Sequence, residues 1–153
     1  MDAIDRKILA ELVEDGRLSL TELADRVQLS LSPCHRRVRK LESDGVIAGY
    51  HASLDPKALG LEFEALLFIT MRSADHETID AFERSVHAIP AVVQAQRLFG
   101  DPDYLLRILC ADLPEYQRLW DEGLSTLPGV QKLVSTLVMK TVVDNRPPPL
   151  GRR

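Results

Sequence analysis

The chain lacks the features that define several protein classes. It has two cysteines in 153 residues. Cys34 and Cys110 lie far apart in amphipathic patterns, which argues against a disulfide framework or a cysteine-ligated zinc. No apolar run is long enough to cross a bilayer. Charges begin at Asp2, Asp5, Arg6 and Lys7, so no secretory leader is expected and the cytoplasm is the expected compartment. The four histidines, His35, His51, His76 and His87, fall at no metal-binding spacing, and no Gly-rich phosphate loop is present. No Ser–His–Asp or Cys–His set can be placed, which leaves a catalytic reading without machinery, and no cofactor is expected. Positive charge is scarce too. The 19 Lys and Arg against 23 Asp and Glu give a formal net charge of −4, which argues against indiscriminate coating of nucleic acid. A composition of 45% hydrophobic and 27% charged residues is that of a globular chain, long enough for one domain or two small ones.

Against this acidic background, one short stretch is basic. Ser32-Pro33 reads as a helix start, with Ser as N-cap and Pro at the first helical position, and Gly45 as the stop. At helical spacing Cys34, Val38 and Leu41 share one face. Arg36, Arg39 and Lys40 lie roughly opposite, with His35 at one edge. Arg37 projects nearer the packed face, where it touches either a phosphate or an intramolecular acid. Guanidinium forks match the O6/N7 edge of guanine, and both cation types neutralise phosphates. Cys34 reads either as a small buried apolar residue or as a redox-sensitive thiol, its pKa lowered by a helix N-terminus and the neighbouring arginines.

The preceding residues separate a DNA-reading helix from an ordinary solvated basic face. Ser19-Leu20-Thr21-Glu22 is a capping box opening a helix with Leu23, Ala24 and Val27 inward. Gln28-Leu29-Ser30 leaves room only for a sharp turn. Upstream, Ile4, Ile8, Leu9 and Leu12 recur at helical spacing until Asp15-Gly16. Three such helices make a trihelical core whose third helix is free to enter the major groove. The expected DNA-contacting set is Ser30, Ser32, Pro33, His35, Arg36, Arg37, Arg39 and Lys40. Val46 to Ala52 reads as a short extended segment, a wing or an exit strand.

Beyond Gly60 the character changes. Ala65 to Met71 is a nearly continuous apolar run, expected as a strand buried on both faces. Glu77 to Ile89 reads as a helix, Val92 to Phe99 and Tyr104 to Cys110 as strands around a Gly100-Asp101-Pro102 turn. Pro114 to Leu127 is a second helix and Val130 to Val143 a long final strand. The order β-α-β-β-α-β is the ferredoxin-like unit. A sheet with helices on one face leaves the other to be covered, and self-association is the economical solution. Residues 97–125 carry Asp101, Asp103, Asp112, Glu115, Asp121 and Glu122 against Arg97, Arg107 and Arg118, so this half should face a different partner from the basic helix. The expected division is 1–50 for DNA binding, 51–63 as connector, 64–145 as αβ-sandwich and 146–153 as tail. With three consecutive prolines, the tail cannot continue a helix or strand and reads as loose, its terminal arginines either solvated or touching DNA.

Taken in order, Ile4-Asp5-Arg6-Lys7-Ile8-Leu9, Glu22-Leu23-Ala24, Leu29-Ser30, Pro33-Cys34, Arg37-Val38, Leu41-Glu42, Gly45-Val46-Ile47 and Gly49-Tyr50 resemble the Lrp/AsnC (feast/famine) transcriptional regulators. Gly100-Asp101-Pro102-Asp103-Tyr104-Leu105-Leu106 and Leu127-Pro128-Gly129-Val130 extend the resemblance to about residue 145. It implies an α+β chain, with an N-terminal winged helix-turn-helix joined to a C-terminal ferredoxin-like βαββαβ sandwich that senses amino acids. It further implies homodimers assembling to higher oligomers such as octamers, and an effector bound near the G-x-x-D turn at contacts between dimers. Carried onto this chain, that site comprises Leu98, Phe99, Gly100, Asp101, Asp103, Tyr104, Ser135 and Thr136, with Ser135 where the family commonly has Thr. A Gly turn exposes N–H groups to a carboxylate, Asp103 pairs with an α-ammonium, and Tyr104 with Phe99 borders a side-chain pocket. Equally, Asp103 caps the turn and Tyr104 is sheet core.

The expected function is therefore regulation of transcription at a palindromic double-stranded operator, tuned by a small amino acid. Two rivals differ in their signatures. A DNA-wrapping architectural protein binds random DNA nearly as well as its own promoter region. A metabolic binding protein or enzyme acts on free amino acids.

Overall fold

Two carboxylates start the first helix. Asp2 caps α1 (Ala3–Glu14) by accepting from the Asp5 N–H at 2.8 Å, and Asp5 returns the bond to the Asp2 N–H at 2.9 Å. Ser19 and Glu22 form the same reciprocal box at the head of α2 (Leu20–Val27). Gln28, in the left-handed region at φ 58°, turns the chain sharply into α3 (Leu31–Ser43). That helix starts two residues earlier than Ser32-Pro33 implies. Ser30 is the N-cap and Pro33 occupies the third helical position, where a missing N–H is still harmless because the first turn has no intrahelical acceptor. The end follows the sequence signal. Gly45 takes φ 70°, its N–H bonds the Glu42 carbonyl, and the Val46 N–H bonds that of Leu41, a Schellman closure. Ile8, Leu9, Leu23, Ala24, Val27, Cys34, Val38 and Leu41 form the buried centre of this trihelical unit.

The structure describes residues 1–144 and 146–150 and divides into two units, Met1–Ser53 with the chain from Val143 on, and Leu54–Val142. Val46 to Ala52 forms no strand, so the expected wing or exit strand is missing from a single chain. The described tail, residues 146–150, forms no helix or strand, and residues 146–149 are exposed. Leu150 packs half-buried on the trihelical core, because three prolines stiffen the segment without making its one leucine soluble. Arg152 and Arg153 lie outside the described residues.

The second unit is β1 (Phe63–Met71), α4 (His76–His87), β2 (Val92–Arg97), β3 (Tyr104–Cys110), α5 (Leu113–Glu122) and β4 (Val130–Leu137). The strands order β2-β3-β1-β4 with every neighbour antiparallel, the ferredoxin-like arrangement. Asp75 and Asp112 cap the two helices by accepting from Thr78 and Glu115 N–H groups. Phe82 and Val86 of α4 and Tyr116 of α5 pack on Ala65, Leu67, Ile69, Leu106 and Ile108. Gly129 takes φ 71°, and a Cβ there would collide with the Thr78 methyl.

Three expectations need correction. β1 is not buried on both faces. Ala65, Leu67, Ile69 and Met71 are buried, but Leu66, Phe68 and Thr70 are only half-buried, since both helices cover the same side. α5 stops at Glu122 rather than Leu127, with Gly123 followed by a separate 3₁₀ turn, Leu124–Thr126. β4 ends at Leu137 rather than Val143, where its ladder with β1 runs out.

Candidate functional site

Burial of Cys34, Val38 and Leu41 turns the opposite side of α3 outward. Ser32, Arg36, Arg39 and Lys40 are exposed there, and His35 is half-buried against α2 beside Leu20 and Thr21. Arg36 and Arg39 make no hydrogen bond or ion pair among the described residues. Lys40 reaches Asp44 at 2.8 Å, and that bond raises its pKa above the ordinary lysine value. The Ser30 hydroxyl makes no cap bond, so the N-terminal turn of α3 keeps hydroxyl and N–H donors available to an anion.

Arg37 differs from its neighbours. Its Nη1 donates to Asp5 Oδ1 and Asp2 Oδ2, each at 2.7 Å. These bonds, Asp5 first, raise its pKa further. Of the two roles open to it from sequence, the intramolecular one is occupied: the acids that cap α1 also hold α3. Arg37→Ala is expected to lower the melting temperature of the chain while weakening DNA binding much less than Arg36→Ala. Thermal melts run beside DNA titrations check this, and an equal loss of affinity would put Arg37 on the docking face.

Two residues outside the expected set lie beside it. Thr21 and Leu31 line the same surface groove as Ser32 and His35. The available signal was Leu31 itself, an apolar residue off the buried stripe, 51% exposed and suited to a thymine methyl. The thiol of Cys34 is buried, and burial pushes its pKa up. That is opposite to the activated thiol expected from the nearby arginines, and fits a packed apolar residue.

In the second unit the hairpin between β2 and β3 is tied off by Asp103. Its carbonyl accepts the Leu98 N–H at 2.7 Å, its N–H donates to the Ile69 carbonyl at 2.9 Å, and its Oδ2 accepts the Met71 N–H at 2.7 Å. Asp101 accepts from the Thr70 hydroxyl at 3.2 Å. Gly100 takes φ 147° with open space where a Cβ would sit, so backbone conformation rather than room calls for glycine. Leu98 is partly exposed and Phe99 fully so. Tyr104 points elsewhere. Its buried ring packs on Phe82 at 4.6 Å between centroids and its hydroxyl donates to Glu83 at 2.8 Å. Burial and that bond push its pKa up to about 12.

Ser135 and Thr136 are not gathered at this turn within one chain. Ser135 is in register with Leu67 and its hydroxyl bonds that of Tyr116 beneath α5. Thr136, in register with Leu66, faces the other side of the sheet. The structure thus brings Leu98, Phe99, Gly100, Asp101 and Asp103 together and leaves Tyr104, Ser135 and Thr136 apart from them.

A trihelical unit with an exposed basic third helix, followed by a ferredoxin-like sandwich, defines a DNA-binding protein with a second, separately folded module. Residues 1–48 match the family described as winged helix-turn-helix DNA-binding, and residues 64–148 that described as Lrp/AsnC ligand binding domain. The chain belongs to the Lrp/AsnC family of transcriptional regulators. It is 37% identical over 150 residues to the Bkd operon transcriptional regulator of Pseudomonas aeruginosa, covering 98% of each chain. It is 38% identical over 144 residues to the leucine-responsive regulatory protein of Rhizobium meliloti, covering 94% of this chain and 92% of that one. Among solved structures it is similar to an AsnC family regulator from Agrobacterium tumefaciens, with TM-score 0.91, 35% identity and coverage of 98% and 97%. It is also similar to a Neisseria meningitidis transcriptional regulator in complex with L-methionine, with TM-score 0.88, 36% identity and coverage of 94% and 92%. No described helix is long and apolar enough to cross a membrane, and no group of three or more described His, Cys, Asp or Glu residues could hold a metal ion.

Proposed function

We propose that this chain is a cytoplasmic, non-enzymatic regulator that binds a palindromic operator as a homodimer and whose DNA affinity responds to a small amino acid. The observation that carries the reading is the outward face of α3, where Arg36 and Arg39 are exposed and unpaired among the described residues. Ser30, Ser32, Pro33 and His35 place the helix N-terminus against the backbone, Lys40 adds a phosphate contact, and Arg37 holds the helix in position. A twofold dimer reads half-sites about 34–36 Å apart, one turn of duplex, or a multiple of that.

Self-association runs through the helix-free side of the sheet. There Leu66, Phe68 and Leu105 are half-buried and Val134 is 41% exposed, a patch that a second copy would cover. Further assembly of dimers, up to octamers, would bring another subunit's residues to the Gly100 turn and complete an effector site with Leu98, Phe99, Asp101 and Asp103. Tyr104, Ser135 and Thr136 would shape that site from behind or from a neighbouring chain. The Neisseria relative's L-methionine complex supports an amino acid as effector. The coupling expected of such a site is about 1–3 kcal/mol, hence graded.

Asp103 has two jobs in this account, and one substitution separates them. Asp103→Asn keeps an oxygen for the Met71 N–H but removes the charge that would meet an α-ammonium. It is expected to preserve the melting temperature and basal DNA affinity while diminishing the rise in melting temperature with added amino acids, since a ligand that prefers the folded state stabilises it. An undiminished rise in a scan of the twenty amino acids would remove Asp103 from the ligand site.

A further inference from the structure

An open cavity of about 290 Å3 lies at the surface between α4 and the edge strand β2, just under the usual range for ligand pockets. None of Gly100, Asp101, Asp103, Ser135 or Thr136 lines it. Its floor is apolar: buried Phe82 and Val86 from α4 and the Tyr104 ring from β3. Its rim carries exposed polar side chains, Glu83 and His87 on the helix and the oppositely charged Arg97 on the strand.

Those charges do not pair with one another. Glu83 is anchored through Oε1, which accepts the Tyr104 hydroxyl at 2.8 Å, and its other oxygen has no hydrogen-bond partner among the described residues. With a pKa of about 12, Tyr104 keeps its proton at neutral pH and goes on donating to that oxygen. The Arg97 guanidinium makes no hydrogen bond or ion pair among the described residues. An anion and a cation on facing sides of the rim above an apolar floor complement a zwitterion with an apolar side chain. Its ammonium meets Glu83, its carboxylate meets the planar fork of Arg97, and its side chain lies on Phe82 and Val86.

We propose that this cavity is a second amino-acid site, complete within one chain, for a zwitterion of about leucine or methionine size. It builds on the reading of the chain as amino-acid-responsive, but not on where that reading puts the effector. Arg97 and Tyr104 are the last pair of the β2–β3 ladder before the hairpin turn, and Leu98 follows with its bond to Asp103. A ligand gripping Arg97 therefore stiffens the base of the turn that carries Gly100 and Asp103.

The test is calorimetric titration of the full chain with L-leucine and with L-methionine. Arg97→Gln and Ala95→Trp are each expected to weaken binding at this site by about tenfold or more, the loss of a charged hydrogen bond or of the space itself. Ala95 is exposed on an edge strand, so the tryptophan fills the cavity mouth without entering the core, and circular dichroism verifies folding. Asp103→Asn leaves this site unchanged. Two analogues, 4-methylpentanoic acid without the ammonium and 3-methylbutylamine without the carboxylate, bind at least about tenfold more weakly than L-leucine. Binding that ignores both Arg97→Gln and Ala95→Trp, or no heat with either amino acid at millimolar concentration, overturns the proposal. If Asp103→Asn alone removes all binding, the turn is the effector site and the cavity is not. If the Arg97 variant alone removes it, the cavity stands and the turn reading falls.

Discussion

Phe68→Asp is expected to convert the protein to monomers and to weaken operator binding by about a hundredfold or more, the avidity lost when two half-sites are no longer engaged by one particle. Phe68 sits mid-strand in β1, in register with Leu105 on one side and Val134 on the other. It lies at the centre of the sheet face that carries no helix. Burying an aromatic side chain of this size stabilises an interface by about 1.5–3 kcal/mol. An aspartate in its place forfeits that burial and adds a carboxylate that must be desolvated without a partner. The Arg107–Glu64 pair at 2.6 Å on the same face gives the carboxylate no ready cation, because that guanidinium is already engaged. The fold itself should survive, since the side chain points away from the core formed with α4 and α5. Sedimentation of the variant beside a DNA titration checks both halves. A dimeric Phe68→Asp protein would place the self-association surface elsewhere.

The second large effect is on α3. Arg36→Ala and Arg39→Ala are each expected to weaken operator binding by about 1–3 kcal/mol if the side chain reads a base edge. A side chain that only neutralises a phosphate instead lowers the slope of log affinity against log salt by about 0.9. The two outcomes separate base reading from backbone contact at each position. Neither substitution removes a partner among the described residues, so melting temperature should not move. That contrasts with Arg37→Ala, whose side chain is bonded to Asp2 and Asp5. The three arginines within four positions of one helix thus divide into two that face outward and one that ties the helix to α1. If Arg36→Ala and Arg39→Ala both leave affinity and salt slope unchanged, the docking face is misassigned.

What could be read from sequence was local. Ser19 with Glu22 marks the head of α2, Gly45 the end of α3, and the spacing of Cys34, Val38 and Leu41 its buried stripe. Each is a bond or contact within a few residues, and residue type alone dictates it. Ser30 and Ser32 are both residue types favoured at an N-cap, so residue type alone does not place the start of α3 at Ser30. Non-local facts were less legible. The run from Ala65 to Met71 is apolar at nearly every position, so its pattern does not reveal that only one face is covered in a single chain. Arg37 was ambiguous because its partners lie more than thirty positions away, at Asp2 and Asp5. Nor does spacing disclose that adjacent residues Ser135 and Thr136 fall on opposite faces of a sheet while the turn they were grouped with lies off the other end of the ladder. The two charges flanking the Phe82 floor are equally silent, since only the packing of α4 on β2 brings Glu83 and Arg97 to the same cavity.

Specific DNA binding that an amino acid modulates separates a regulator from an architectural or metabolic protein. Fluorescence anisotropy of the full chain on its own promoter region and on random duplex, at one fixed salt concentration, tests it most directly, with each of the twenty amino acids added in turn. A specificity ratio of about a thousandfold or more is expected, with a graded shift of roughly 5–150-fold in operator affinity with at least one amino acid. Equal affinity for promoter and random DNA, unmoved by every amino acid, would contradict it.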